Sequence, residues 1–337
     1  MRKPDYTQLL KVLKKEVPDR PTLFEFFLNE ELYDYLDNGE APQRGDGFDD
    51  FRRRVYAYKN AGYDYLTAHA SNFGFPSGEA AHISTSSLND GVTITDWASY
   101  EQYKWQSPAS FSTDHLELCA KDMPEGMKFI IFGPGGVLEN VIRLTGYDNL
   151  CVMIYEEPEL AKRIFDDVGS RLVEYYELVV EKDCVCALIS NDDWGFKTQT
   201  MLSPADMRKY VFPWHKKIVE VGHRHNKPVA LHSCGMLEEV MEDVINDMGF
   251  DGKHSFEDVI MPIEDSYEKY KGRIALLGGI DVDFVCTKST DEIAKRSKAM
   301  LERAAKDGGY ALGTGNSVPY YVPKDGYLAM VDVVRKG

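Results

Sequence analysis

The sequence predicts a (β/α)8 barrel, an α/β fold in which parallel strands close on themselves inside a ring of helices. Three observations lead there. Short apolar runs alternate with long amphipathic segments through most of the chain. Eight of those runs read as strands, most of them separated by a helical segment, and repeated strand–helix units build a parallel sheet. No Gly-x-Gly-x-x-Gly follows any of the eight, which argues against a doubly wound dinucleotide sheet. Gly133-Pro134-Gly135-Gly136 has the wrong spacing, and Pro134 lacks an amide that a phosphate would need.

In chain order the strands are expected at 22–26, 63–69, 128–132, 185–191, 228–232, 252–254, 274–278 and 310–313. Long helices are expected over 160–180, 204–225 and 290–306. The first repeats its apolar residues at helical spacing, as in Leu172, Tyr175, Tyr176 and Val179. An N-terminal helical extension precedes the barrel. The alternation breaks at 73–112, after the second strand. That stretch holds Gly74, Pro76, Gly78, the hydroxyl run Ser84-Thr85-Ser86-Ser87, Trp97 and Trp105. It reads as an insertion and a candidate lid or homodimer surface. With no linker, charge block or internal repeat, residues 1–337 read as one domain.

The chain has 337 residues, 43% hydrophobic and 28% charged, with a formal net charge of -16. That charge argues against nucleic acid or an anionic membrane as the main partner. No apolar run reaches the roughly 18–20 residues a membrane helix needs. The start, Met1-Arg2-Lys3-Pro4-Asp5-Tyr6, has no apolar core behind its charges and does not read as a signal peptide. Six cysteines in this length suit a reducing cytoplasm, where thiols are free to bind metal.

Active sites of such barrels lie at the C-terminal ends of the strands. The strand ends here carry Glu25, then Asn191-Asp192-Asp193, His232-Ser233-Cys234, His254-Ser255-Phe256-Glu257-Asp258, Gly279-Ile280-Asp281 and Gly313-Thr314-Gly315-Asn316. The most informative pair is His232-x-Cys234. Residues i and i+2 of a strand share a face, so imidazole and thiol can meet one zinc ion. Glu257 is the expected third ligand, with Cys286 as the alternative. Asn191 and Asp193 are expected to orient a ligand, with Asn316 and Tyr320 across the mouth. Asp192 is equally well read as a cap, and Asp281 reads as the cap of the following helix. Cys119, Cys151, Cys184 and Cys186 read as core or inert positions, and His223 and His225 as residues suited to a helix C-terminus.

From Ser190 to Gly235 the residues Asp193-x-Gly195-Phe196-Lys197, Leu202-Ser203-Pro204, Pro213-x-His215-Lys216, Lys227-Pro228-Val229 and His232-x-Cys234-Gly235 resemble the uroporphyrinogen decarboxylase-like superfamily. The resemblance continues through Leu276-Leu277-Gly278-Gly279-Ile280-Asp281 and Gly313-Thr314-Gly315-Asn316-Ser317-Val318-Pro319, and is weak in the N-terminal third. Within the superfamily the chain is more similar to the corrinoid-dependent methyltransferases. The resemblance implies a (β/α)8 barrel. It implies zinc held by His232 and Cys234, and a corrinoid carried by a partner protein. Two departures matter. The decarboxylases carry arginines after the first strand to hold tetrapyrrole carboxylates, but residues 24–31 contain none. The methyltransferases add a distant cysteine near the last strand, where this chain reads Ala311-Leu312-Gly313-Thr314-Gly315. One thiolate fewer leaves a more Lewis-acidic zinc, suited to an oxygen or nitrogen leaving group. The implied activity is therefore that of an O- or N-demethylating methyltransferase. It would act on an aromatic methyl ether or a methylamine or betaine, with Asp193 and Glu257 catalytic and Glu25, Asn191, Asn316 and Tyr320 binding the donor. The alternatives are a methylcorrinoid:thiol methyltransferase, a decarboxylase-like lyase or a non-catalytic tetrapyrrole-binding barrel.

Overall fold

The computed structural model describes residues 2–78 and 87–336, so Ser84, Thr85 and Ser86 of the hydroxyl run lie outside the described residues. Seven strands form one sheet: β1 (Tyr65–His69), β2 (Lys128–Phe132), β3 (Val185–Asn191), β4 (Val229–His232), β5 (Gly252–His254), β6 (Ala275–Leu277) and β7 (Tyr310–Ala311). They lie side by side in sequence order, and every pairing is parallel. The alternating strand–helix pattern thus gives the curled sheet and helical coat of an α/β barrel, as the sequence predicts.

The expected first strand, 22–26, is not a strand. It closes the barrel by a single parallel bridge between Leu23 and Leu312. Phe24 N–H donates to the Leu312 carbonyl, and Leu312 N–H to that of Thr22, both at 2.8 Å. Gly313 permits this approach, because a Cβ there would sit 1.7 Å from the Phe24 carbonyl oxygen. Towards β1, side-chain hydroxyls occupy the positions of a ladder. Glu25 N–H donates to the Tyr65 hydroxyl at 2.7 Å, and the Phe26 carbonyl accepts from the hydroxyls of Tyr58 and Thr67. The apolar run predicts a strand correctly in place but not in form, because tyrosines intervene where β1 would pair.

The helix expected at 204–225 begins at Pro204 and ends at Arg224, with a wide π turn at Met207–Val211. Pro213 has no N–H to donate, and its ring crowds the carbonyl four residues back, so the turn before it opens. The N-terminal helix Tyr6–Leu13, capped by Asp5, lies across the N-terminal ends of the strands. Tyr6 N–H reaches the Gly126 carbonyl just before β2, and Gly309 N–H reaches the Glu16 carbonyl just before β7. That end of the barrel is closed, which leaves the opposite end for ligands.

The described part of the insertion from Trp97 onward packs on the outside of the barrel. Its helix Trp97–Gln102 and the stretch after it run along the outer helix Pro158–Val180. The Tyr100 hydroxyl donates to Asp167 at 2.6 Å, Arg171 Nε donates to the Gln106 carbonyl at 3.0 Å, and the Arg171 guanidinium lies over Trp105. Of its described residues, Phe73 to Pro76 and Gln106 line the cavity at the mouth. No helix among the described residues is long and apolar enough to cross a membrane.

Candidate metal centre

Two strand ends build the centre. β4 delivers His232, and the chain turns through Ser233 to Cys234. β3 delivers Asn191, and the next turn carries Asp193. The turns are laced together. Cys234 N–H donates to Asp193 Oδ1 at 2.9 Å, Trp194 N–H donates to the Ser233 hydroxyl at 3.1 Å, and Met236 N–H donates to the Phe196 carbonyl at 2.8 Å. Gly235 has φ +89°, and a Cβ on it would lie 2.1 Å from the Gly195 carbonyl oxygen. Only glycine suits that position, in both conformation and space.

This lacing gathers one oxygen of Asp193, one ring nitrogen of His232 and Sγ of Cys234 within 4.8 Å of one another. His232 and Cys234 thus meet as the strand alternation predicts. The third member is Asp193, not Glu257. Phe256 N–H donates to the Gly315 carbonyl, which draws that loop towards the turn after β7. Glu257 then lines a cavity between the two loops. Cys286 lies on the helix Val282–Thr287 and does not join the group either. One nitrogen, one sulfur and one oxygen are the donor types zinc takes, and three protein ligands leave a position open, as in catalytic zinc sites.

Electrostatics fit that assignment. Burial holds His232 down to about 4, so its ring is neutral near pH 7. Burial and the adjacent Asp193 carboxylate push the metal-free Cys234 thiol up to about 12. Sγ accepts from Ser255 Oγ at 3.3 Å and from Asn316 Nδ2 at 3.2 Å, so Asn316 does reach the centre from across the mouth. Two further titratable groups stand close. Lys253, pulled by burial to about 8, points its ammonium to the Ser255 carbonyl. Glu139, on the helix Val137–Thr145, is raised to about 8 by burial and by the charges of Asp192 and Asp193. Neither sits at a strand end in the sequence: Lys253 lies inside β5 and Glu139 on a helix.

The remaining expected residues fall in several places. Asn191 lines the mouth and accepts from Gly133 N–H at 2.8 Å. Asp192 is a cap, but of the earlier helix Val137–Thr145 and not, as the sequence suggests, of the next helix or turn. It is fully buried, accepts from Leu138 and Glu139 N–H, and meets His215 Nε2 at 2.9 Å. Asp281 caps its helix through Asp283 and Phe284 N–H. Tyr320 is 87% exposed and packs on Tyr321, away from the cavities. Glu25 does not face the mouth. It is buried, with Oε1 2.6 Å from Thr314 Oγ1 and Oε2 accepting Thr314 N–H at 3.2 Å.

Glu25 yields a pH prediction. Burial raises it from 4.5 to about 8 in the folded chain. Between those values the unfolded chain has released the proton while the folded chain keeps it, so this group's contribution to stability falls as pH rises. Glutamine mimics the neutral acid and cannot ionise. Glu25→Gln should therefore gain on the wild type by on the order of a few kcal/mol between pH 5 and pH 8. Urea unfolding at the two pH values checks this.

Two cavities flank the centre. One, of about 720 Å³, is walled by Phe26, Phe27, Phe73, Phe75 and Phe132, with Asn191 and Arg143 also on its lining. The other, of about 750 Å³, carries Glu257, Asp258, Asp281 and Asp283 against Lys197 and Lys288.

Residues 72–337 match the profile of the uroporphyrinogen decarboxylase (URO-D) family. The chain belongs to the URO-D family. It is 23% identical over 255 residues to the uroporphyrinogen decarboxylase of Citrifermentans bemidjiense, across 72% of this chain and 70% of that one. It is equally similar, over the same shares, to the uroporphyrinogen decarboxylase of Geobacter sp. strain M21. Among solved structures, a methyltransferase from Methanosarcina mazei superposes with a TM-score of 0.70 at 16% identity, covering 98% of this chain and 97% of that chain. That likeness is one of fold. In this URO-D family member residues 24–31 supply no arginine, and among the described residues Arg143 is the one arginine on the lining of the two cavities.

Proposed function

We propose that this chain is a corrinoid-dependent methyltransferase. It takes a methyl group from a small O- or N-methylated donor, an aromatic methyl ether or a methylamine or betaine, and passes it to the reduced corrinoid of a separate protein. The observation that carries the reading is the Asp193–His232–Cys234 group at the strand ends, flanked by a phenylalanine-walled cavity. Zinc held by these three residues supplies Lewis acidity to a departing oxygen or nitrogen, and the oxygen ligand in place of a second thiolate suits that task better than thiol activation. Four acids in the second cavity weigh against a polycarboxylate such as uroporphyrinogen.

In this reading the phenylalanine wall and Asn191 hold the donor near the centre, where correct placement of the methyl carbon supplies much of the rate. Asn316 donates to the Cys234 sulfur and tempers its charge. Glu257, which lines the adjoining cavity, is the residue we assign to proton transfer at the departing atom. Tyr320, exposed beside Tyr321, is open to contact from a docked protein. The six free cysteines suit the cytoplasm.

A panel of aryl methyl ethers, methylamines and betaines, offered with zinc-loaded chain and reduced corrinoid, tests the proposal. Corrinoid methylation, read by absorbance, is expected with at least one donor and none without donor. No methylation with any donor, alongside carbon dioxide release from uroporphyrinogen, would replace the reading with decarboxylation.

Metal binding carries its own pH signature. His232 is already neutral above about pH 5, while the Cys234 thiol must lose its proton. Apparent zinc affinity should therefore rise about tenfold per pH unit between pH 6 and 8, with close to one proton released per zinc. Chelator competition and proton release in unbuffered solution measure both.

A further inference from the structure

The His232 ring has a second partner besides the centre. Its Nδ1 lies 2.7 Å from Nδ1 of His254, the last residue of β5. At that distance one nitrogen must carry the hydrogen and the other must accept. The far side of His254 decides which. Its Nε2 faces the Thr314 carbonyl at 3.4 Å, and a carbonyl oxygen only accepts. With hydrogen on Nε2, a neutral His254 keeps a lone pair on Nδ1, and His232 must then donate from Nδ1. The lone pair of His232 is left on Nε2. The opposite assignment sets two lone pairs against each other at Thr314 and puts a hydrogen on His232 Nε2, where it would block a metal.

We propose that His254 is a positioning residue that fixes His232 in the Nδ1–H form and leaves Nε2 free for the metal. The proposal rests on the zinc reading above for its purpose, but the tautomer is a property of the metal-free chain. Three further contacts hold His254 in place. Its ring meets Phe24 edge-on, with centroids 5.2 Å apart. Its carbonyl accepts from Ser233 N–H at 2.7 Å. Thr314, its acceptor, is gripped from behind by both oxygens of the buried Glu25. The line therefore runs from the metal ligand through His254 and Thr314 to Glu25. A buried acid that faces no cavity thereby acquires a task, namely to keep the Thr314 carbonyl aimed at His254. A ligand histidine whose second nitrogen is fixed by a partner binds metal more tightly, and loss of such a partner costs about 10–100-fold in affinity.

The test is nitrogen-15 spectroscopy of histidine side chains in the full-length, metal-free chain at pH 7.5. His232 is assigned by its loss in His232→Asn. The expected result is an Nδ1–H ring for His232 in the wild type. His254→Leu removes the acceptor and should return His232 to the Nε2–H form, with zinc affinity about 10–100-fold weaker. His254→Asn offers a carbonyl oxygen near the former Nδ1. It should retain the Nδ1–H form and bind zinc within about threefold of wild type, a rescue that a purely space-filling role for His254 would not produce. An Nε2–H ring in the wild type would overturn the proposal without any variant, even if His254→Leu fails to fold. Unchanged zinc affinity in a folded His254→Leu would do the same. Neither result bears on whether the chain transfers methyl groups. Conversely, absence of transfer alongside the predicted tautomers would sink the functional reading and leave this one standing.

Discussion

Replacing Cys234 with alanine is expected to lower zinc affinity by more than about a hundredfold, since even an outer-shell partner is worth 10–100-fold. The same holds for His232→Ala and Asp193→Ala, because the three donors form one group. Glu257→Gln is the internal control. Its carboxylate lines the neighbouring cavity, so zinc should bind as in the wild type. Zinc content after dialysis against a weak chelator, followed by competition titration, separates the cases. Asp193→Asn is informative in its own way, because it keeps an oxygen for the Cys234 N–H while losing the charge. It should fold normally and bind zinc weakly. Full zinc binding by Asp193→Ala, with loss in Glu257→Gln, would restore Glu257 as the third ligand.

The second large effect is expected at Gly235. An alanine there must adopt φ +89° and place its Cβ 2.1 Å from the Gly195 carbonyl oxygen, 2.2 Å from its carbon and 2.5 Å from its Cα. These are backbone atoms and cannot rotate aside. The turns after β3 and β4 must then part, and with them the Asp193 contact to Cys234. Gly235→Ala should cost more than about 2 kcal/mol of stability and abolish zinc binding together. Gly249→Ala isolates the steric part of that cost. Gly249 also has positive φ, +76°, but a Cβ there meets nothing within 4 Å. It should lose only the roughly 1–2 kcal/mol of left-handed backbone strain, with zinc binding intact. Equal losses in the two variants would show that close packing of the turns is not what Gly235 serves.

Much of this architecture is legible in the residues. Apolar runs such as Lys128–Phe132 and Val185–Asn191 announce strands because a buried parallel strand is apolar on both faces. His232 and Cys234 come together because strand residues two apart share a face. The closing segment 22–26 is legible in position only. Its ladder towards β1 is replaced by hydroxyls of Tyr58, Tyr65 and Thr67, and those contacts join residues more than 30 apart. The third member of the group is hidden in the sequence for a related reason. Asp193 and Glu257 both follow strand ends, and only the pairing of turns through Gly195 and Gly235 brings one of them in. Glu139 carried no signal at a strand end, because it arrives on a helix. His254 did end a strand, but its contact to His232 depends on the register of β4 against β5, in which His232 and His254 lie side by side.

The central proposal is methyl transfer at a zinc centre, in the direction from donor to corrinoid. The direct measurement uses one preparation, zinc-loaded and zinc-stripped, in two assays. In the first, reduced corrinoid is offered with a donor from the panel and methylation is followed by absorbance. In the second, methylated corrinoid is offered with a free thiol. The account predicts rapid methylation in the first, lost on stripping and restored by zinc, and a rate lower by at least about a hundredfold in the second. Fast methylation of the thiol, with no activity toward any methyl ether, methylamine or betaine, would contradict it.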